Sequence, residues 1–265
     1  MKRFSWFAVV GRKGLGAALS IAVATAVLLA AMAVGLPRLA VSAPSEKRLL
    51  PVYCTDREGK VVSLTFDAAW GAEDTDRLIE IFDTYDVAVT FFVGGDWVEK
   101  FPEEVKKLHD AGHEVMNHSD THPYMSKISE SERAAELKNC NDKIERITGV
   151  RPTLFRPPYG EYDDHVVLAT RALGMEPIQW DVDSLDWKDL SAADITQRVT
   201  GKVQSGSIVL FHNAAKHTPE ALSGILDYLL QEGYTIVPIS QLILPGEHGV
   251  DYTIDHTGRQ MAAGA

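Results

Sequence analysis

Cysteine is scarce in this 265-residue chain, with only Cys54 and Cys140 present. Two cysteines cannot build a disulfide-stapled scaffold or a four-thiolate metal centre. Cys140 falls on the apolar stripe Ala134, Leu137, Cys140, Ile144 and Ile147, so a buried thiol is expected, with both cysteines free. No glycine-rich phosphate loop occurs, and no serine or cysteine stands beside a histidine in a nucleophile pattern, which disfavours nucleotide-driven and acyl-enzyme chemistry. Basic charge is also short over most of the chain. The first 43 residues hold five of the 26 Lys and Arg and none of the 37 Asp and Glu, leaving 21 basic against 37 acidic residues in the remainder, a net of −16. Such a body repels polyanions, so nucleic acid is excluded as the natural partner, while a neutral polymer is not.

What is present begins with an apolar run. Lys2, Arg3, Arg12 and Lys13 precede residues 14–37, which carry no charge. At about 1.5 Å per residue the run is long enough to cross a bilayer of about 30 Å. The basic flank orients the N-terminus to the cytoplasm and the rest of the chain outside. "VSA", ending at Ala43, also fits a signal-peptidase site, so residues 1–43 read as an anchor or signal segment, the length favouring an uncleaved transmembrane helix. Residues 44–59 read as a linker and lead-in. Residues 245–265 read as a polar tail with a disordered end.

Between them a pattern repeats. Short apolar strands ("VVSLTF", "VAVTFFV", "HEVMN", "TLF", "MEPIQW", "SIVLF", "YTIVPI") alternate with amphipathic helical segments. This alternation predicts an α/β fold with parallel pairing, and seven strands in one unit predict a closed or nearly closed (β/α) barrel over residues 60–244. The polar motifs sit at predicted strand ends: Asp67 in "TFD", His118 and His122 in "NHSDTH", Arg156 in "FRPPYG", Asp183 in "DVDSLDW" and His212 in "FH". In a parallel barrel these points share the C-terminal face, where active sites are built. A lone strand-end Asp is usually a turn residue and a lone buried His usually a core residue. Five polar clusters in the same register are not explained that way. His118 and His122 offer two neutral nitrogens to a divalent metal. Asp67 offers a base, His212 a group able to protonate a leaving amine, and Arg156 a guanidinium to pin a carboxylate. Together they point to hydrolysis of an amide or ester.

At these residues the chain resembles the polysaccharide deacetylase family (NodB-homology domain, carbohydrate esterase family 4), and is most similar to its membrane-anchored, sporulation-associated PdaB-type branch. The resemblance covers about residues 60 to 240 and includes all five family motifs in order. It implies a distorted seven-stranded (β/α) barrel. It implies Asp67 as catalytic base, Arg156 as the residue holding it, His118 and His122 as metal ligands, and His212 as catalytic acid. It implies Pro157 and Tyr159 in one groove wall, Asp183 to Trp187 in the other wall and orienting His212, and Leu210 in the acetyl pocket. One departure stands out: the family's usual second aspartate is Ala68 here. A divalent metal, zinc by preference, is therefore expected to be weakly held. The expected activity is removal of N-acetyl groups from amino sugars of a cell-wall glycan. Alternatives left open are a catalytically weak or inactive wall-glycan-binding protein, and hydrolysis of acetyl esters or other amides on the same scaffold.

Overall fold

The computed structural model describes residues 48–264, and the expected N-terminal anchor lies outside them. Among the described residues no helix is long and apolar enough to cross a membrane.

The centre of the molecule is strand β2 (Val61–Ala68). It pairs in parallel with β3 (Thr90–Val93) on one side and β8 (Ile208–His212) on the other. The ladder continues from β3 to β4 (Glu114–Asn117), β5 (Leu154–Phe155) and β6 (Glu176–Pro177), and from β8 to β7 (Val182–Asp183). β6 and β7 belong to one bent stretch of chain, pairing at its start with β5 and at its end with β8, so the parallel sheet curls back on itself as a distorted barrel. β9 (Thr235–Ile236) adds to the start of β2. The seven expected strands are all present, and β7 is an additional one that the sequence pattern concealed within an irregular polar segment.

β2 is buried on both faces, as a parallel strand covered by helices must be. Val62, Leu64, Phe66 and Ala68 join the outer apolar layer with Leu78 and Phe82 of α1 (Thr75–Tyr85) and Leu222 and Leu226 of α7 (Thr218–Gln231). Ser63 and Thr65 alternate with them and donate to the carbonyls of Val237 and Val209, which places their hydroxyls inside the ring. The remaining helices are α2 (Gly95–Lys100), α3 (Pro102–Asp110), α4 (Glu130–Thr148), α5 (Asp164–Ala172), α6 (Ala192–Thr200) and the short α8 (Ile239–Leu242). α4 starts on a capping box formed by Ser129 and Glu132 and stops at Gly149 (φ 74°), a left-handed position where glycine avoids a Cβ clash.

Both ends of the domain differ from expectation. The lead-in is structural: Val52 and Cys54 are buried, and β1 (Cys54–Thr55) pairs with β11 (Arg259–Ala262). The polar tail folds back as β10 (Tyr252–Ile254) against β11. Tyr252 and Ile254 enter the inner apolar cluster with Phe92, Met116 and Ile208, and the fully buried Gln260 bonds the backbone N–H and carbonyl of Leu244. Three buried side chains on two short strands are enough to seat this hairpin under the barrel. Cys54 and Cys140 are both buried and free.

Candidate active site

β2 and β8 end side by side, with Asp67 in register with His212. Asp67 is only 6% exposed. Its Oδ1 accepts a 2.8 Å bond from Arg156 Nη1, which also donates to Thr65 Oγ1 at 2.8 Å. Arg156 is fully buried, donates to the Gln179 carbonyl and lies over the Phe92 ring at 4.2 Å. Burial works to raise the Asp67 carboxyl's pKa, but the Arg156 guanidinium, with His118 and His212, outweighs it and holds it below the usual carboxylate range. Asp67 is thus ionised at neutral pH.

His118 follows β4. Its Nδ1 lies 2.8 Å from the Arg156 carbonyl, which fixes Nδ1–H as donor and leaves Nε2 bare. His118 Nε2 lies 3.2 Å from His122 Nε2 and 3.6 Å from Asp67 Oδ2. Burial lowers the pKa of both histidines, that of His122 to about 4, so both are neutral. The intervening turn is unusual. Ser119 and His122 both have left-handed backbone (φ 67° and 59°), a conformation that costs non-glycine residues about 1 kcal/mol or more each. A carboxylate from α4 holds it there: Glu136 accepts from the Asp120 and Thr121 amides at 2.8 Å each and from the Thr121 hydroxyl at 2.7 Å.

His212 is held from the other side. Asp186 Oδ1 accepts from His212 Nδ1 at 2.8 Å, while Oδ2 accepts from the His212 amide at 2.8 Å and the Thr218 hydroxyl at 2.7 Å. Burial opposes protonation of His212, but the Asp186 bond and charge prevail and raise its pKa. Within the segment Asp183 to Trp187 expected to orient this histidine, Asp186 is the residue bonded to it, and Asp183 adds only its charge from a distance. The Asp183 carboxylate turns back to accept from the Leu185 amide, and left-handed backbone at Leu185 (φ 55°) swings Asp186 under His212 instead. Asp183 lines the cavity.

These groups open into one cavity of about 330 Å³. Its floor is Asp67, His118, His122 and His212; its sides are Tyr159, Leu210, Trp187 and Asp183, as expected, plus Trp70, Gly160 and Trp180. Pro157 does not reach it: it is buried beneath, its carbonyl accepting from Gly160 to form the turn that presents Tyr159. Trp70 stands 5.9 Å from His212 and 6.0 Å from His122, ring to ring, a placement hinted at only by its position three residues beyond Asp67. A larger cavity of about 670 Å³ lies beside the first residues of β5 and β6, away from the strand-end histidines. Its Glu176 is already bonded by Arg171 and Tyr252.

Ligand nitrogens about 2.0–2.1 Å from a tetrahedral zinc lie about 3.3 Å apart, so the Nε2 pair at 3.2 Å suits two positions on one ion. Among the described residues a third donor for such an ion is lacking. Ala68 is fully buried and belongs to the apolar layer with Phe66 and Val93. Among the described residues no group of three or more His, Cys, Asp or Glu is placed to hold a metal.

Comparison with known proteins agrees with this geometry. Residues 55–178 match the family described as polysaccharide deacetylase. The chain is 35% identical over 187 residues to the peptidoglycan-N-acetylmuramic acid deacetylase PdaC of Bacillus subtilis, the match covering 71% of this chain but only 39% of PdaC. It is 32% identical to a peptidoglycan-N-acetylglucosamine deacetylase of Bacillus cereus, covering 68% of this chain and 67% of that protein. Among solved structures, BA3943 of Bacillus anthracis, a CE4 family pseudoenzyme, superposes with a TM-score of 0.70 at 38% identity, over 72% of this chain and 68% of that one. The chain belongs to the polysaccharide deacetylase family, carbohydrate esterase family 4.

Proposed function

We propose that this chain is a hydrolase that removes N-acetyl groups from amino sugars of peptidoglycan or a related cell-wall glycan. The observation that carries this reading is the pairing of oppositely tuned groups over one cavity: Asp67 kept ionised by Arg156, and His212, whose pKa is raised by Asp186 against the effect of burial. Two titrating groups pushed apart by their surroundings divide into base and acid. Asp67 takes a proton from the attacking water. His212 gives one to the sugar nitrogen as the C–N bond breaks, so the amine leaves neutral. Arg156 and Asp186 keep each partner in the charge state and orientation its step needs. His118 and His122 would hold a divalent metal, zinc by preference, and such an ion when bound supplies Lewis-acid polarisation. With Ala68 in place of a carboxylate, that ion is held weakly.

The charge-free run at residues 14–37 supports a location outside the cytoplasmic membrane, as a single-pass membrane protein, and the PdaB-type resemblance supports a link to sporulation. Protease treatment of spheroplasts tests the location: cleavage of the catalytic domain supports it, and full protection contradicts it.

One observation favours a second reading. Ala68 removes a ligand, and BA3943, similar at 38% identity, is a pseudoenzyme. On that reading the groove binds wall glycan without turnover. Released acetate, measured with the purified chain and an N-acetylglucosamine tetramer, separates the two. Turnover supports the hydrolase, and binding without acetate supports the second reading.

A further inference from the structure

Asp74 stands at the N-cap of α1, yet its side chain does not cap the helix. An N-cap aspartate ordinarily accepts from an amide of the first turn, a bond worth about 1 kcal/mol. Here Oδ2 instead accepts from the Ala214 amide at 2.8 Å, 140 positions away in sequence, and the buried Oδ1 has no partner. Ala214 lies two residues beyond His212 and is itself held at φ 54°, a left-handed conformation that costs a non-glycine residue about 1 kcal/mol or more. Three local preferences are set aside at one contact, and such conflicts concentrate at functional sites.

That contact belongs to a set of bonds joining the segment after β2 to the segment after β8. The Asn213 amide donates to the Asp67 carbonyl at 3.2 Å, and Asn213 Nδ2 donates to the Gly71 carbonyl. Trp97 Nε1, from α2, donates to the same carbonyl at 2.8 Å. Glycine is required at position 71 for this approach, because a Cβ there would lie 3.0 Å from the Ala214 Cβ. The residue enclosed by these bonds is Trp70. Its ring is half-exposed and stacks on His212 at 5.9 Å with planes 30° apart. A half-exposed ring takes its position from its backbone more than from packing. Asp186 grips His212 at Nδ1, and a single hydrogen bond leaves an imidazole able to rock about that bond. A flat neighbour against its face removes that freedom.

We propose that Asp74 is a positioning residue: by tying the Ala214 amide to the start of α1 it fixes the Trp70 ring against His212, so that the proposed acid faces the cavity in one orientation. Asp74 touches neither the substrate position nor the reacting atoms and acts through Trp70. This rests on the deacetylase reading only for the role of His212.

The test joins kinetics to a spectroscopic signature of the ring. Asp74→Ala should lower kcat for acetate release from the N-acetylglucosamine tetramer about tenfold with KM within about threefold, and Asp74→Asn, which can still accept from the Ala214 amide, should restore it. The Asp74→Ala, Trp70→Ala double variant should be no slower than Trp70→Ala alone. With its five tryptophans replaced by 5-fluorotryptophan, the chain gives one fluorine resonance per ring, that of Trp70 identified by Trp70→Phe. In Asp74→Ala the Trp70 resonance should shift or broaden while those of Trp180 and Trp187 stay in place. Gly71→Ala, which keeps Asp74 but forces the two segments apart, should move the same resonance, and it decides the matter where Asp74→Ala does not fold. Additive losses in the double variant, or an unmoved Trp70 resonance in the folded variants, overturn the proposal. If the wild type releases no acetate, the deacetylase reading falls, and the Trp70 resonance alone decides whether Asp74 sets the ring.

Discussion

His212 Nδ1 and Asp186 Oδ1 lie 2.8 Å apart, and the other Asp186 oxygen grips the His212 amide, so one nearly inaccessible carboxylate fixes both the backbone and the ring of the proposed acid. Asp186→Asn keeps the shape and removes the charge. Activity should fall about a hundredfold, the lower range for loss of acid–base function, while Asp183→Asn should lose less than about tenfold. The pH profile gives the sign. His212 must be protonated, its pKa is raised, and activity is lost as pH rises through that raised value. In Asp186→Asn the alkaline limb should move to lower pH. An unmoved limb would detach Asp186 from the acid.

Glu136 makes a second structural prediction. Its three bonds hold the turn between His118 and His122. Glu136→Ala should loosen that turn and weaken zinc binding about tenfold, on the scale of lost outer-sphere support, with little change in helix content. Zinc titration followed by calorimetry checks the first, and circular dichroism the second.

Ala68 bears on the same ion. Ala68→Asp adds a third donor and should tighten zinc about tenfold or more. Because position 68 is fully buried beside Phe66 and Val93, the new carboxylate should destabilise the metal-free protein. Zinc should therefore raise the melting temperature of the variant more than that of the wild type. Equal shifts would show that position 68 does not reach the ion.

His113 carries a stability prediction. It is buried against Phe82 and Phe91, Nε2 finds no partner, and burial lowers its pKa to about 4. The folded state prefers neutral imidazole, so its contribution is complete above the unfolded value near 6.5 and is lost as pH falls toward 4. Between pH 7 and 5 this amounts to about 2 kcal/mol. Urea unfolding at both pH values should show the difference shrinking by about that amount in His113→Leu.

Much of this was legible in the sequence because a parallel barrel delivers strand-end side chains to one face. Asp67, His118, Arg156 and His212 follow from that rule alone. The segment that orients His212 was legible, but not which of its aspartates does so, because two aspartates three positions apart share an irregular stretch and the left-handed turn at Leu185 decides between them. Glu136 was hidden for another reason: it reaches its loop across 15 or 16 positions of sequence, from a helix face with no distinguishing pattern. The closing hairpin was missed because Gly246, Gly249 and Gly258 make its surroundings look like loop, while its burial rests on Tyr252, Ile254 and Gln260.

The most direct measurement of the central claim is acetate released from the N-acetylglucosamine tetramer by the wild-type chain and by Asp67→Asn. Asn keeps the shape at Arg156 but accepts no proton. The account predicts steady release by the wild type and at least about a hundredfold less by the variant. Equal release by both would contradict Asp67 as the base, and no release by the wild type, with or without added zinc, would contradict the hydrolase itself.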